Sequence, residues 1–172
     1  MKKLLATVAI AVFSFASAQI QGEDAFSGQG DTKAQIGANF QRWGTGIQAS
    51  IDYGLGESFS VGLQGGYVLG FKEIYPTAKP SADQRFDLRA RANAHLGDVI
   101  GFPQNVDLYP GLDLGLKNFG AHAGIRYFFG NGFGVFAETQ FPIARFNKTP
   151  KDYQYLNNQF NIATGVSFNL TK

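Results

Sequence analysis

The chain of 172 residues contains no cysteine, which excludes disulfides, thiolate metal sites and a cysteine nucleophile. An exported protein without cysteine also has neither a lipoprotein anchor nor a disulfide-stapled scaffold. Charge is scarce as well: Asp, Glu, Lys and Arg make up 16% of the chain, against a usual share of about 25%. No apolar run beyond Phe15 approaches the ~20 residues of a helical span. There is no H-E-x-x-H pair, no glycine-rich loop opening a helix and no basic tract. The stretch "GNGFG" at 130–134 reads as a hairpin turn rather than a phosphate cradle. Neither a metal, a cofactor nor a nucleic-acid partner is therefore expected.

The first residues, "MKKLLATVAIAVFSFASAQ", carry a basic start at Lys2 and Lys3 and an apolar stretch from Leu4 to Phe15. Small residues at Ala16 and Ala18 complete a secretory signal, with cleavage expected before Gln19. Without Lys2 and Lys3 the 15 basic residues become 13 and balance the 13 acids. The expected organisation is a signal at 1–18, a Gly-rich lead at 19–31 and one domain at 32–172.

What the chain has in quantity is glycine, 22 residues, and phenylalanine, 17 residues. Its apolar residues are spread by alternation, which is a strand signature. "FDLRARANAHL" at 86–96 shows it most clearly: Phe86, Leu88, Ala90, Ala92, Ala94 and Leu96 share one face, and Asp87, Arg89, Arg91, Asn93 and His95 the other. Seven more such segments lie at 33–42, 46–54, 59–69, 106–116, 119–129, 133–141 and 159–170. Their lengths match the ~9–11 residues of a tilted membrane-crossing strand, and an even number suits closure. Pro110 falls inside the fifth segment, where a bulge or a broken ladder bond is expected. Short and long connections alternate, and the two long ones follow the third and seventh segments.

Which face turns inward follows from where lysine sits. Beyond the signal, Lys33, Lys72, Lys79, Lys117, Lys148, Lys151 and Lys172 all lie in loops or at segment ends. A water-facing exterior would carry lysine along strand middles. Turning the charges of 86–96 towards lipid would cost roughly 2–4 kcal/mol for each arginine at mid-depth. The charges are therefore assigned to the lumen. Asp52, Asp87, Asp107, Asp113 and Glu138 face Arg89, Arg91 and Arg126 there as an ion-pair network, with His95 and His122 as polar members. Across the turn at 130–132, Arg126 falls diagonal to Glu138, within pairing reach; Arg89 and Arg91 could meet Asp113 or Asp52. Gly37, Gly62, Gly66, Gly111, Gly115, Gly124, Gly134 and Gly165 also point inward and leave room. The apolar face carries rings towards the segment ends, as two interfacial girdles would: Trp43, Tyr53, Phe59, Tyr67, Tyr127, Phe129, Phe133, Phe141, Phe160 and Phe168.

The export signal, eight alternating segments, aromatic ends and terminal "GVSFNL" resemble small outer-membrane barrels of the OmpA/OmpX type. "GDTKAQIGANFQRWGTGI" is similar, more particularly, to outer-membrane barrels of unknown function from Bacteroidetes. The resemblance implies an all-β, eight-stranded antiparallel up-and-down transmembrane barrel in the bacterial outer membrane. It also implies a last strand read by the barrel assembly machinery, although the chain ends Leu170-Thr171-Lys172 rather than in Phe.

The expected function is non-enzymatic: a monomeric barrel in contact with membrane lipid, its lumen plugged, with a structural or surface-interaction role through its long loops. Tyr75, Phe146, Tyr153 and Tyr155 are the candidate loop contacts. Catalysis is disfavoured because neither histidine has a serine beside it in the segment pattern. The alternatives are a small diffusion channel, favoured by the inward glycines, and a soluble periplasmic barrel around an apolar ligand.

Overall fold

The structure is a computed structural model and describes residues 24–73, 79–130, 132–147 and 153–171. Eight strands follow one another: β1 (Thr32–Gln41), β2 (Gly44–Gly56), β3 (Phe59–Phe71), β4 (Phe86–Ala94), β5 (Val106–Gly115), β6 (Asn118–Gly130), β7 (Phe133–Arg145) and β8 (Asn161–Asn169). A single helical turn, α1 (Ala82–Arg85), precedes β4. Each strand pairs antiparallel with its neighbour, and β8 returns to β1 to close the barrel. Closure leaves no sheet edge along the shared span of the strands.

The barrel is inverted relative to a soluble protein. Along β2 every second residue is buried, and the buried set is Gln48, Ser50 and Asp52 rather than the Ile47, Ile51 and Tyr53 between them. Strand β4 does the same, burying Asp87, Arg89, Arg91 and Asn93. Leu63, Leu112, Leu114 and Phe129 each keep half or more of their surface exposed. The period-two side-chain alternation of a strand thus sends one class of residue inward and the other outward all round.

Two prolines show how the ladders adapt. Pro110 produces no register shift against β6, where it faces Ala123. The ladder to β4 instead stops at Asn93–Gly111, one residue short of Pro110, so the missing N–H falls where pairing has ended. Pro142 lies inside β7, although the alternation at 133–141 predicts a stop before it. There β8 has already ended, at Gln140–Asn161, and the pairing with β6 bulges between Phe119 and Gly120. A strand flanked on one side only tolerates a proline.

Both mouths are covered by chain that is not strand. At the mouth that holds both ends of the barrel chain, termed the inner mouth, the lead enters the barrel: Ala25 N–H donates to the Gln104 carbonyl at 2.8 Å, and the Phe26 ring stacks on His95 at 3.5 Å. At the outer mouth residues 153–160 turn inward, with Tyr153 and Leu156 buried against Val68. Lys117 ties this turn to α1, donating to the Leu156 carbonyl at 3.1 Å and the Gln84 carbonyl at 2.6 Å. Burial lowers the Lys117 pKa below the usual lysine range, and Asp87 opposes that shift.

Candidate functional site in the barrel lumen

The lumen is filled in layers by pairing a large inward side chain with a glycine on the next strand. Tyr109 faces Gly124, His122 faces Gly111, Phe136 faces Gly165 and Arg91 faces Gly62. The fit leaves no slack. A Cβ on Gly124 would run into the Tyr109 ring, and one on Gly111 would meet the His122 ring at 2.5 Å. The space beside Gly124 and Gly111 is thus occupied by these rings, whereas that beside Gly66 stays open.

At mid-height a charged layer crosses the barrel. Arg91 Nη2 donates to Glu138 Oε2 at 2.7 Å, from β4 to β7, and its Nε lies 3.3 Å from Asp52 Oδ1 on β2. Its remaining Nη1 donates to Gln64 at 3.2 Å, and Gln140 donates to Glu138 at 2.8 Å. Neither the Arg91 nor the Glu138 side chain exposes any surface. Arg126 lies 3.2 Å from Asp107, 4.0 Å from Asp52, and 4.1 Å above the Tyr109 ring. The Arg126 contacts are at ion-pair and ring distance without hydrogen-bond geometry, whereas Arg91 makes hydrogen bonds as well.

A hydrogen-bonded chain runs down one wall. Asp113 and Asn93 flank His122, at 2.9 Å from Nδ1 and 2.7 Å from Nε2. Asn93 also donates to Ser60 at 2.9 Å, and Ser60 Oγ lies 2.8 Å from His95 Nε2. Asp107 closes the chain at 2.7 Å from His95 Nδ1. Towards the outer mouth Arg89 pairs with Asp87 at 2.7 Å and donates to the Asn157 carbonyl at 2.6 Å. Asn157 holds a left-handed backbone, φ 59°, while its side chain donates to the Arg85 carbonyl and accepts from Gln41. A gap of about 10 Å³ beneath it, lined by Asn39, Gln48, Arg89 and Gln140, has room for one water.

Every residue assigned to the lumen network is buried, but some partners differ from those expected. Arg126 does not pair with Glu138. Asp107 stands directly opposite Arg126 on β5 and holds it, which frees Glu138 for Arg91. Arg91 does meet Asp52, whereas Arg89 takes Asp87, and Asp113 is held by His122. His95 does have a serine beside it: the β3–β4 register sets Ser60 opposite Asn93, two positions from His95. Ser60, His95 and Asp107 thus stand in the order of a nucleophile, base and acid. Ser60 is 1% exposed, however, Asn93 donates into its Oγ, and Phe26 covers the imidazole. The neighbouring cleft holds about 10 Å³, too little for a substrate carbonyl.

Lys33 and Phe26 are among the lumen members that were not anticipated. Lys33 is buried at the inner end with its ammonium 2.8 Å from Asp31 and 3.1 Å from the Asp24 carbonyl. It sits at the start of β1, and the inward parity of residues 33, 35 and 37 was the one signal that could have found it. Phe26 lies in the lead, which carries no alternation.

The rings of the outward face form two rows. Tyr53, Phe59, Tyr127, Phe129, Phe133 and Phe168 lie at the inner strand ends; Trp43, Tyr67, Phe86, Phe141 and Phe160 lie at the outer ones. Phe168 departs from an exposed girdle position, since it is 5% exposed beside Phe133, ring centres 5.7 Å apart. Of the candidate loop contacts, Phe146 is exposed and Tyr155 half-buried. Tyr153 is fully buried and cannot meet a partner, because its turn folds back over the mouth. Tyr75, like the signal at 1–18, lies outside the described residues.

A closed, inverted eight-strand barrel of this kind is the architecture of transmembrane barrels. Residues 15–170 match the model of DUF6646, a family of unknown function, and the chain belongs to that family. The N-terminal β-barrel domain of Pseudomonas aeruginosa OprF is similar in structure, with a TM-score of 0.54 and 15% identity over 84% of this chain and all of that domain. A de novo designed transmembrane barrel is similar too, with a TM-score of 0.52 and 10% identity over 83% of this chain and 97% of the design. At these identities the likeness is one of fold. No curated protein matches the sequence.

Proposed function

We propose that the protein is an exported, monomeric barrel of the bacterial outer membrane. In this reading its lumen is plugged, it performs no catalysis, and it has a structural or surface-interaction role. The outward apolar face and its two aromatic rows support placement in a bilayer, and the last strand would be what the assembly machinery reads. The observation that carries the plug is Arg91, held by Asp52 on its own wall and by Glu138 across the lumen, with none of its side chain exposed. Ions would have to break that pairing to pass, leaving buried charges alone. The buried and covered Ser60 supports a structural role for its hydrogen-bonded chain. A lumen lined by Asp, Arg, Asn and Gln argues against an apolar ligand inside a soluble barrel.

The test is single-channel recording of the refolded chain, without its signal, in a planar bilayer. A silent bilayer into which the barrel has inserted is expected. Insertion is checked independently by a heat-dependent shift on a denaturing gel. Discrete openings that widen in Arg91→Ala or Arg126→Ala would overturn the plug and make the protein a gated channel.

A further inference from the structure

At the outer rim, β7 outruns β8. Pairing between them ends at Gln140–Asn161, while β7 continues to Arg145. The chain at 153–160 that precedes β8 has turned inward to cover the mouth, so among the described residues none continues the β8 ladder there. A groove of about 630 Å³ opens there between β7 and the end of β1.

Its walls continue the outward apolar rows of the barrel. On β1 the outward row runs Ile36, Ala38, Phe40 and then Arg42, just past the strand end; on β7 Phe141 and Ile143 are exposed up to the bulge, beyond which Arg145 stands opposite Asn118. Arg42 thus ends the β1 row at the rim, and Arg145, at the end of β7, lines the same groove. Phe160 and Ile162, both exposed, form the floor between them. Trp43 closes one side, with the Arg42 guanidinium 4.7 Å and the Lys72 ammonium 5.7 Å from its ring centre. No carboxylate lines the groove, and neither Arg42 nor Arg145 has an ion-pair partner among the described residues. The contrast with the lumen is sharp, since there each of the arginines 89, 91 and 126 is matched by an acid.

We infer that this groove is a binding site for a phospholipid of net negative headgroup charge in the surrounding membrane, a step that rests on the membrane placement proposed above. The phosphate sits between Arg42 and Arg145, where a guanidinium can offer two parallel N–H donors to its oxygens. One acyl chain descends over Phe160 and Ile162 in the gap left by β8. Trp43 stands at the boundary, its ring against the chain and its edge towards the head groups. The two arginines share the groove with the exposed apolar floor of Phe160 and Ile162, and this favours lipid over a soluble anion.

Trp43 is the only tryptophan in the chain and lines the groove, so it reports occupancy directly. The refolded barrel is placed in phosphatidylcholine vesicles with a minor share of phosphatidylglycerol, and bromine is carried high on the chains of one lipid or the other. At equal brominated fractions, brominated phosphatidylglycerol should quench Trp43 about threefold more strongly than brominated phosphatidylcholine, since each cation near a membrane surface attracts anionic lipid. Arg145→Gln, which leaves the Arg42–Trp43 stack intact, should bring that ratio close to one. Lys79→Gln, an exposed loop charge outside the groove, should leave it unchanged. Equal quenching by the two lipids in the unaltered protein, or an unchanged ratio in Arg145→Gln, overturns the lipid site and leaves the membrane placement standing. No quenching by either lipid overturns the membrane placement and the site with it.

Discussion

The middle of the lumen and its two mouths are closed by different means. At mid-height the closing groups are strand side chains: Arg91 of β4, beside Asp52 on the same wall, reaches across the lumen to Glu138 of β7, a pair that meets only once the barrel is complete. At the mouths they belong to irregular chain laid across the opening, Phe26 at the inner end and Asn157 at the outer. The middle layer is bound up with global closure. The mouth segments are held by a few contacts each and could open while the strands stay paired.

That difference sets an order of effects. The largest is expected at Arg91. Replacing it with Met strands Glu138 and Asp52 as buried charges, and breaking such a set costs about 3–5 kcal/mol. Urea unfolding of the refolded barrel in lipid vesicles reads the loss. Replacing Glu138 with Gln in the same chain should recover part of it, because one of the orphaned charges is removed. A loss below ~1 kcal/mol for Arg91→Met would mean that water reaches this layer, and the contrast between middle and mouth would fail.

Next comes Gly124→Ala, which tests the large-against-glycine packing. Its new methyl group meets Tyr109, which is buried between Gln35 and Arg126 and cannot move far. Overpacking of this kind costs about 1–3 kcal/mol. Tyr109→Leu in the Gly124→Ala background should restore much of the urea midpoint. A neutral Gly124→Ala would show that the lumen has slack there.

At the outer mouth Asn157→Ala removes two side-chain hydrogen bonds and places a Cβ residue without local stabilisation at φ 59°. The global urea midpoint should fall by about 1 kcal/mol. Protease cleavage within 153–160 should rise more steeply than that global loss explains. Equal changes in both would mean that the outer segment unfolds only together with the barrel.

How much of this was legible in the sequence depends on the separation of the partners. Alternation places Asp52, Arg91 and Glu138 on the inward face, because parity within a strand needs no knowledge of its neighbours. The turn at 130–132 likewise sets Arg126 opposite Phe136, as found. Which charges then meet is a property of closure. Arg126 was judged against β7 alone, and its true partner stands on the other flanking strand. Arg91 reaches across the lumen to a strand three places away, a distance no hairpin register reveals. Ser60 reached His95 through a register that local reading of the histidine's own segment cannot supply. Pro142 looked like a stop because the early end of β8, which leaves β7 flanked on one side, lies twenty residues further on. Tyr153 looked like a surface aromatic because nothing local marks a turn that folds inward.

The smallest effect is expected at the inner mouth, from Phe26→Ala. The ring stacks almost parallel to His95, at 7°, in a segment that can open locally while the strands stay paired. The lead would still be held by Lys33, which bridges Asp31 and the Asp24 carbonyl, and by the Ala25–Gln104 hydrogen bond. The urea midpoint should therefore hardly change. What should change is access to His95: diethyl pyrocarbonate ought to modify it several-fold faster in the variant, while His122, behind Asn93 and Asp113, keeps its slow rate. Equal acceleration at both histidines would mean that the lead supports the whole lumen rather than capping one end of it. In that case the inner mouth would belong with the middle layer, and only the outer mouth would remain a separable closure.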